Sequence, residues 1–183
     1  MAWKNGAGRT TEIDAYPPRA ALDAFDWRIS VADVARGGPF SLFAGIDRTI
    51  VVIAGAGMRL DGNGHAALLQ VPYEPYTFSG DVGLDCTLID GPVRDFNLMV
   101  RRGRARGEVT VVRDEAVRIP PARFRFCYTV TGSCECLVAG HPPIVVPTDH
   151  ALRVEDDPEP GAPLSVNPLT ADAAALLVAI DLA

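Results

Sequence analysis

The sequence predicts an all-β protein built as two tandem jelly-roll-type barrels, and three observations carry that expectation. Short apolar stretches, several of them strictly alternating, are separated by turn signals along the whole chain. The 17 glycines and 15 prolines are many for a helical chain and suit short strands joined by turns. Finally, the chain echoes itself. A shift of 77 positions sets residues 48–55, beginning at Arg48 and ending at Gly55, beside residues 125–132, from Arg125 to Gly132. Each copy reads as a strand, a glycine turn and a returning strand, followed by an apolar run that ends at Val71-Pro72 or Val146-Pro147. Fixed-offset similarity of this kind marks a repeated unit, and its order is that of two antiparallel barrels.

In chain order, residues 10–13 read as a short strand and residues 14–26, with Pro17 and Pro18, as a loop. Residues 25–34 form a strand with Trp27, Ile29 and Val31 on one side and Arg28 and Ser30 on the other, because side chains alternate across a strand. Gly37-Gly38-Pro39 is a turn, and residues 40–43 a further strand. The apolar run 48–54, bounded by glycines, is a strand buried on both faces. Strands are also expected at 58–60, 66–71, 76–78, 84–89 and 95–101. The basic, glycine-rich stretch 101–107 is a solvated connector and the boundary, giving barrels at residues 1–106 and 107–183 within one unit in which strands are free to exchange. The second barrel draws on 107–113, 116–119, 124–131, 134–138, 144–146 and 151–154. The last run, 175–180, fits either an alanine-rich helix or a buried closing strand.

Composition narrows the function. A chain of 183 residues that is 48% hydrophobic and 22% charged is globular. Its net charge of -6 argues against nucleic acid and against anionic lipid as partners. No apolar run approaches the roughly 20 residues that span a bilayer, and no basic start leads an apolar run as in a signal peptide. Cys86, Cys127, Cys134 and Cys136 are few and irregularly spaced, as reduced thiols are, so a cytoplasmic protein is expected.

The chemistry centres on residues 95–101. One face of this strand carries Phe96, Leu98 and Val100, the other Asp95, Asn97, Met99 and Arg101. Arg28 and Ser30 offer a second polar face, and Trp3-Lys4-Asn5-Gly6 adds amide and aromatic groups. The expectation is that Trp3, Lys4, Asn5, Arg28, Ser30, Asp95, Asn97, Met99 and Arg101 converge on one pocket for a small anionic molecule, since arginine grips a carboxylate through two parallel N–H bonds. The competing reading is structural, with Asp95 paired to Arg28 or Arg101 inside a barrel. No metal is expected: His65, His141 and His150 are not spaced as ligands, and Cys134 and Cys136 lack a second pair. No nucleophile elbow is present, which leaves Asp95 as the one candidate general base.

Together these residues carry a resemblance. Trp3-Lys4-Asn5-Gly6 with Gly8 and Thr10, then residues 25–30, Gly38-Pro39-Phe40-Ser41 with Phe43, Gly45 and Asp47-Arg48, then Gly91-Pro92 and Asp95-Phe96-Asn97 with Met99 and Arg101-Arg102, closely resemble the HutD/Ves family. The likeness spans roughly residues 3–107; beyond it only the general strand pattern matches. It implies a cupin-like double barrel (a bicupin of the RmlC-like type) without the usual cupin metal ligands or any other cofactor. It also implies an accessory or regulatory role in histidine utilisation, through binding formylglutamate, formiminoglutamate or urocanate. The family's strand before the tryptophan is longer, so the likeness implies a truncated first strand or a misassigned start here, and Ala7 stands where a third glycine is common. The combined expectation is a non-catalytic, metal-free binder of a small anionic metabolite. Its rivals are an isomerase or hydrolase using Asp95 and a structural interaction protein with no ligand. Open barrel edges are compatible with a homodimer.

Overall fold

The computed structural model describes residues 3, 6–156 and 161–183, so Lys4 and Asn5 lie outside the described residues. Every regular element among the described residues is a β-strand. The chain divides into two compact units, Met1–Arg104 and Ala105–Ala183.

The first unit contains β1 (Gly8–Tyr16), β2 (Trp27–Val34), β3 (Gly38–Pro39), β4 (Ile46–Ala54), β5 (Met58–Gly62), β6 (His65–Leu69), β7 (Pro75–Ser79), β8 (Asp85–Leu88) and β9 (Val93–Arg101). They form two antiparallel sheets, ordered β1-β2-β9-β4-β7 and β3-β8-β5-β6. Alternation explains why the sheets pack. Ala32, Val34, Ile50, Val52, Phe78 and Val93 from the first sheet share one buried cluster with Met58, Leu60, Leu84 and Cys86 of the second. That cluster fixes which face of β2, β4 and β9 points inward. It is the face of Arg28 and Ser30, of Arg48, and of Asp95, Asn97, Met99 and Arg101. The opposite faces are also buried at Trp27, Ile29, Phe96 and Leu98.

The second unit contains β10 (Ala105–Val112), β11 (Val117–Ile119), β12 (Phe124–Thr131), β13 (Ser133–Val138), β14 (Ile144–Pro147), β15 (His150–Glu155), β16 (Leu164–Pro168) and β17 (Ala174–Leu182). Its sheets run β10-β17-β12-β15 and β11-β16-β13-β14. With β1 set aside, this is the strand order of the first unit, β10 standing for β2, β12 for β4 and β17 for β9. The 77-position echo is therefore a repeat of topology. The hairpin glycines it aligns, Gly55 and Gly132, are structural necessities: Gly55 has φ +95°, and a Cβ there would lie 2.5 Å from the Pro92 carbonyl oxygen.

Several elements differ from expectation. Residues 40–43 are not a strand; the paired segment is Gly38–Pro39. The physical reason is that Phe40 and Phe43 both turn toward Arg48, and residues three apart cannot share a face of a period-two strand. The strand 164–168 had no sequence signal beyond Leu164 and Val166, yet it lies between β11 and β13. Residues 174–182 form a strand paired on both edges, with β10 and β12, in which Leu176, Leu177, Val178 and Ile180 are buried. The basic stretch is a tight turn closed by an Arg104-to-Arg101 backbone bond of 3.0 Å, and the division between units falls at 104/105. Arg102 bonds Asp47 (2.5 Å) and Asp81. All four cysteines are free and buried.

Candidate functional site

Beside its apolar cluster, the inner face of the five-stranded sheet carries buried polar side chains where a barrel core is ordinarily apolar. Buried there are Arg28, Ser30, Arg48, Asp95 and Asn97. Antiparallel register arranges them in rows across the strands. Arg28 of β2, Met99 of β9 and Arg48 of β4 form one row, Met99 being the Cα partner of both arginines. Glu12, Ser30, Asn97 and Ile50 form the next. Thr10, Ala32, Asp95 and Val52 form the third.

The two guanidiniums reach from the first row toward the second. Arg28 donates through Nε to Glu12 Oε2 (2.7 Å) and through Nη1 to Ser30 Oγ (3.3 Å). Arg48 donates through Nη2 to Asn97 Oδ1 (2.8 Å). The Asn97 amide in turn donates to Asp95 Oδ1, so asparagine bridges the buried cation and the buried anion. The rings of Phe40, Phe78 and Phe43 surround Arg48, their centroids 5.0, 5.2 and 5.6 Å from its Cζ.

Burial governs the protonation of this group. It pushes the Asp95 carboxyl up from 3.8 to about 7, against the attraction of Arg48 and the bond from Asn97, with Asp33 adding a smaller upward push. It lowers Arg48 from 12.5 to about 10; Asp95 opposes that shift and Arg28 reinforces it. Arg48 therefore stays cationic at neutral pH, while Asp95 sits near half-protonation. Burial, with Asp95 nearby, lifts the Cys86 thiol to about 11, which keeps it protonated at neutral pH.

The remaining candidates lie around this group. Trp3 donates its indole N–H to Thr10 Oγ1 (2.7 Å), in the row of Asp95, and packs against the buried cluster. Met99 sits between the arginines and joins Phe25 and Ile46 in a small apolar cluster. Arg101 shares their face but not their partners. Its Nε and Nη2 donate to the carbonyls of Phe25 and Asp23, both at 2.8 Å, and its guanidinium lies over the Phe25 ring. It clamps the loop before β2. Sequence reasoning missed Arg48, Glu12 and the three phenylalanines. A signal for Arg48 was present, since the echo aligns it with Arg125 and the Asp47-Arg48 pair belongs to the motif set.

A cavity of about 390 Å³ opens beside this group, lined by Leu22, Leu42, Phe43, Ile46 and Arg101 among others. Phe43 faces both the cavity and Arg48. A larger, more open depression of about 510 Å³ lies against Arg36, Thr87 and Leu88 and borders none of the inner-face polar residues. No three His, Cys, Asp or Glu side chains among the described residues are grouped as metal ligands.

An all-β fold of paired antiparallel sheets is cupin architecture, and solved structures bear this out. The cupin 2 conserved barrel domain protein from Leptotrichia buccalis superposes with a TM-score of 0.57 over 99% of this chain and 92% of that one; at 11% identity the likeness is of fold alone. The chain belongs to the HutD family, whose model matches residues 1–168. HutD from Pseudomonas fluorescens SBW25 has a TM-score of 0.84 and is 33% identical, over 100% of this chain and 93% of that structure. A conserved protein of unknown function from Pseudomonas aeruginosa PAO1 has a TM-score of 0.88 and 33% identity, over 99% and 93%. An uncharacterized 21.2 kDa protein in the hutC 3' region of Pseudomonas putida is 44% identical over 58% of this chain. That match spans just over half, 56%, of the relative's own length. No helix among the described residues is long and apolar enough to cross a membrane.

Proposed function

We propose that this protein is a metal-free small-molecule binder with an accessory or regulatory role in histidine utilisation, and that its first unit takes an anionic intermediate such as formylglutamate or urocanate. One observation carries the reading: two buried arginines on the inner wall of one barrel flank Met99 and each bonds one member of a cross-strand polar pair, Arg28 to Ser30 and Arg48 to Asn97. Placing two like charges in a core is costly unless an anion offsets them. Glu12 offsets Arg28 from a position whose side chain is 44% exposed. Asp95 offsets Arg48 only through Asn97 and only when ionised. A ligand carboxylate accepting from both guanidiniums would supply the missing charge, with Ser30 and Asn97 reading its remaining polar atoms. The phenylalanines around Arg48 supply an apolar wall for a planar or aliphatic body, and the cavity beyond Phe43 supplies the route. Family membership and the hut names of two relatives support the pathway.

Calorimetry with formylglutamate, urocanate and glutamate tests this. Heat that saturates with a pathway acid and vanishes in Arg48→Met supports it; absence of heat with all three removes the ligand. A second reading, an isomerase or hydrolase, is favoured by one observation: a buried carboxyl held near pH 7 is suited to proton transfer. Turnover of either acid that is lost in Asp95→Asn would establish it over simple binding.

A further inference from the structure

The repeat leaves a second buried arginine. Arg125 occupies on β12 the place of Arg48 on β4, on the inner face with Cys127 and Thr129. Its neighbours have changed. The β17 residues in the places of Met99, Asn97 and Asp95 are Ala179, Leu177 and Ala175, so neither the bridging amide nor the buried carboxyl is repeated. Arg125 itself is retained with its side chain fully buried.

Its charge is met by Asp156, beyond the end of β15, whose Oδ2 accepts from Arg125 Nη2. The same oxygen accepts the Gly161 backbone N–H at 2.6 Å. The Arg125 Nε and Nη1 are buried with no hydrogen-bond partner among the described residues. A guanidinium presents edges that a carboxylate fills with both oxygens, and Asp156 engages one nitrogen of three. Among the described residues, the Nε and Nη1 donors beside the one Asp156 engages are left open to an oxyanion, an arrangement costly to retain in an apolar core.

We propose that the second unit holds its own carboxylate site at Arg125, that Asp156 occupies it from within the chain, and that a small free carboxylate enters by displacing Asp156. The site lies in the second unit and does not depend on the ligand proposed for the first. The Asp156 side chain is 22% exposed, so the occupant already lies at the solvent boundary and the exchange path is short. Entry would release the Gly161 N–H together with Asp156.

Acetate is the probe, because it is the aspartate side chain cut free. In full-length Asp156→Ala, the thermal midpoint should rise saturably with sodium acetate against sodium chloride at equal ionic strength. Acetate should bind this variant at least about tenfold tighter than the wild type, where Asp156 competes. The rise should vanish in Arg125→Met/Asp156→Ala, which removes the receptor. Asp156→Asn serves if the alanine variant does not fold, since its carbonyl still meets Nη2 and the same acetate dependence is expected, weaker. Equal responses to acetate and chloride in either foldable Asp156 variant, or an acetate response that survives loss of Arg125, would overturn the proposal and leave Arg125–Asp156 as a sealed structural ion pair.

Discussion

Replacing Asp95 by asparagine should abolish a large part of the protein's pH-dependent stability. In the native state the Asp95 carboxyl is raised from 3.8 to about 7, chiefly by burial. Between those values the folded protein holds a proton that the unfolded chain has released. Each step up in pH then lowers the free energy of the unfolded state relative to the native state. Stability from this group is greatest below pH 4, is lost as pH rises toward 7, and is level above. A shift of that size corresponds to about 4 kcal/mol in all, and about 2.5 kcal/mol of it falls between pH 5 and pH 8. Asparagine does not ionise and keeps an acceptor for the Asn97 amide, but its own NH2 needs a partner, which offsets about 1–2 kcal/mol. The variant should therefore be near or below wild type at pH 5 and above it by about 2 kcal/mol at pH 8. Urea unfolding of both proteins at pH 5, 6.5 and 8 reads this directly. The two proteins differ at one residue, so the difference between their profiles isolates position 95. Parallel stability profiles for the two proteins would refute the argument that Asp95 is a buried, half-protonated carboxyl.

Other substitutions separate scaffold from site. Arg101→Ala removes two bonds to the carbonyls of Asp23 and Phe25 and should lower stability by about 2 kcal/mol in urea unfolding, with protease sensitivity rising in residues 20–26. Trp3→Phe keeps an aromatic ring but loses the 2.7 Å bond to Thr10 and part of the packing, an effect of at least about 1 kcal/mol by the same assay. Gly8→Ala brings a Cβ to 2.5 Å from the Asp33 carbonyl oxygen, a backbone clash, and should destabilise by more than about 2 kcal/mol. Arg48→Met removes the cation that offsets Asp95 and the donor to Asn97 Oδ1, and should lower stability by up to about 3–5 kcal/mol in urea unfolding above pH 7, where Asp95 is ionised and left uncompensated. It should also raise the Asp95 pKa further, because attraction to Arg48 is what holds it down, a change that NMR titration of the Asp95 carboxyl would follow.

Much of this was legible where local alternation sets the answer. The face shared by Asp95, Asn97, Met99 and Arg101, and that shared by Arg28 and Ser30, follow from period two, and β2 and β9 are indeed neighbours with Ser30 opposite Asn97. What was not legible depends on pairing between distant strands. Arg48 opens an apolar run that reads as plain core, and only the β4–β9 register carries it into the row of Arg28. Glu12 reaches Arg28 from β1, next to a register shift between Glu12 and Asp14 that no local pattern announces. Arg101 has the right parity, but at the end of β9 its long side chain meets loop carbonyls first. The repeat was legible as an echo, and Arg48 with Arg125 was its most informative pair.

The most direct measurement is calorimetric titration of formylglutamate and of urocanate into wild type and Arg48→Met. A single saturable site in the first unit, present in wild type and weakened by at least about tenfold in the variant, is the expected result, since truncating one partner of a buried charge pair costs about 2–5 kcal/mol. Identical heats in the two proteins, or none in either, would contradict the claim that the inner-face arginines form a binding site.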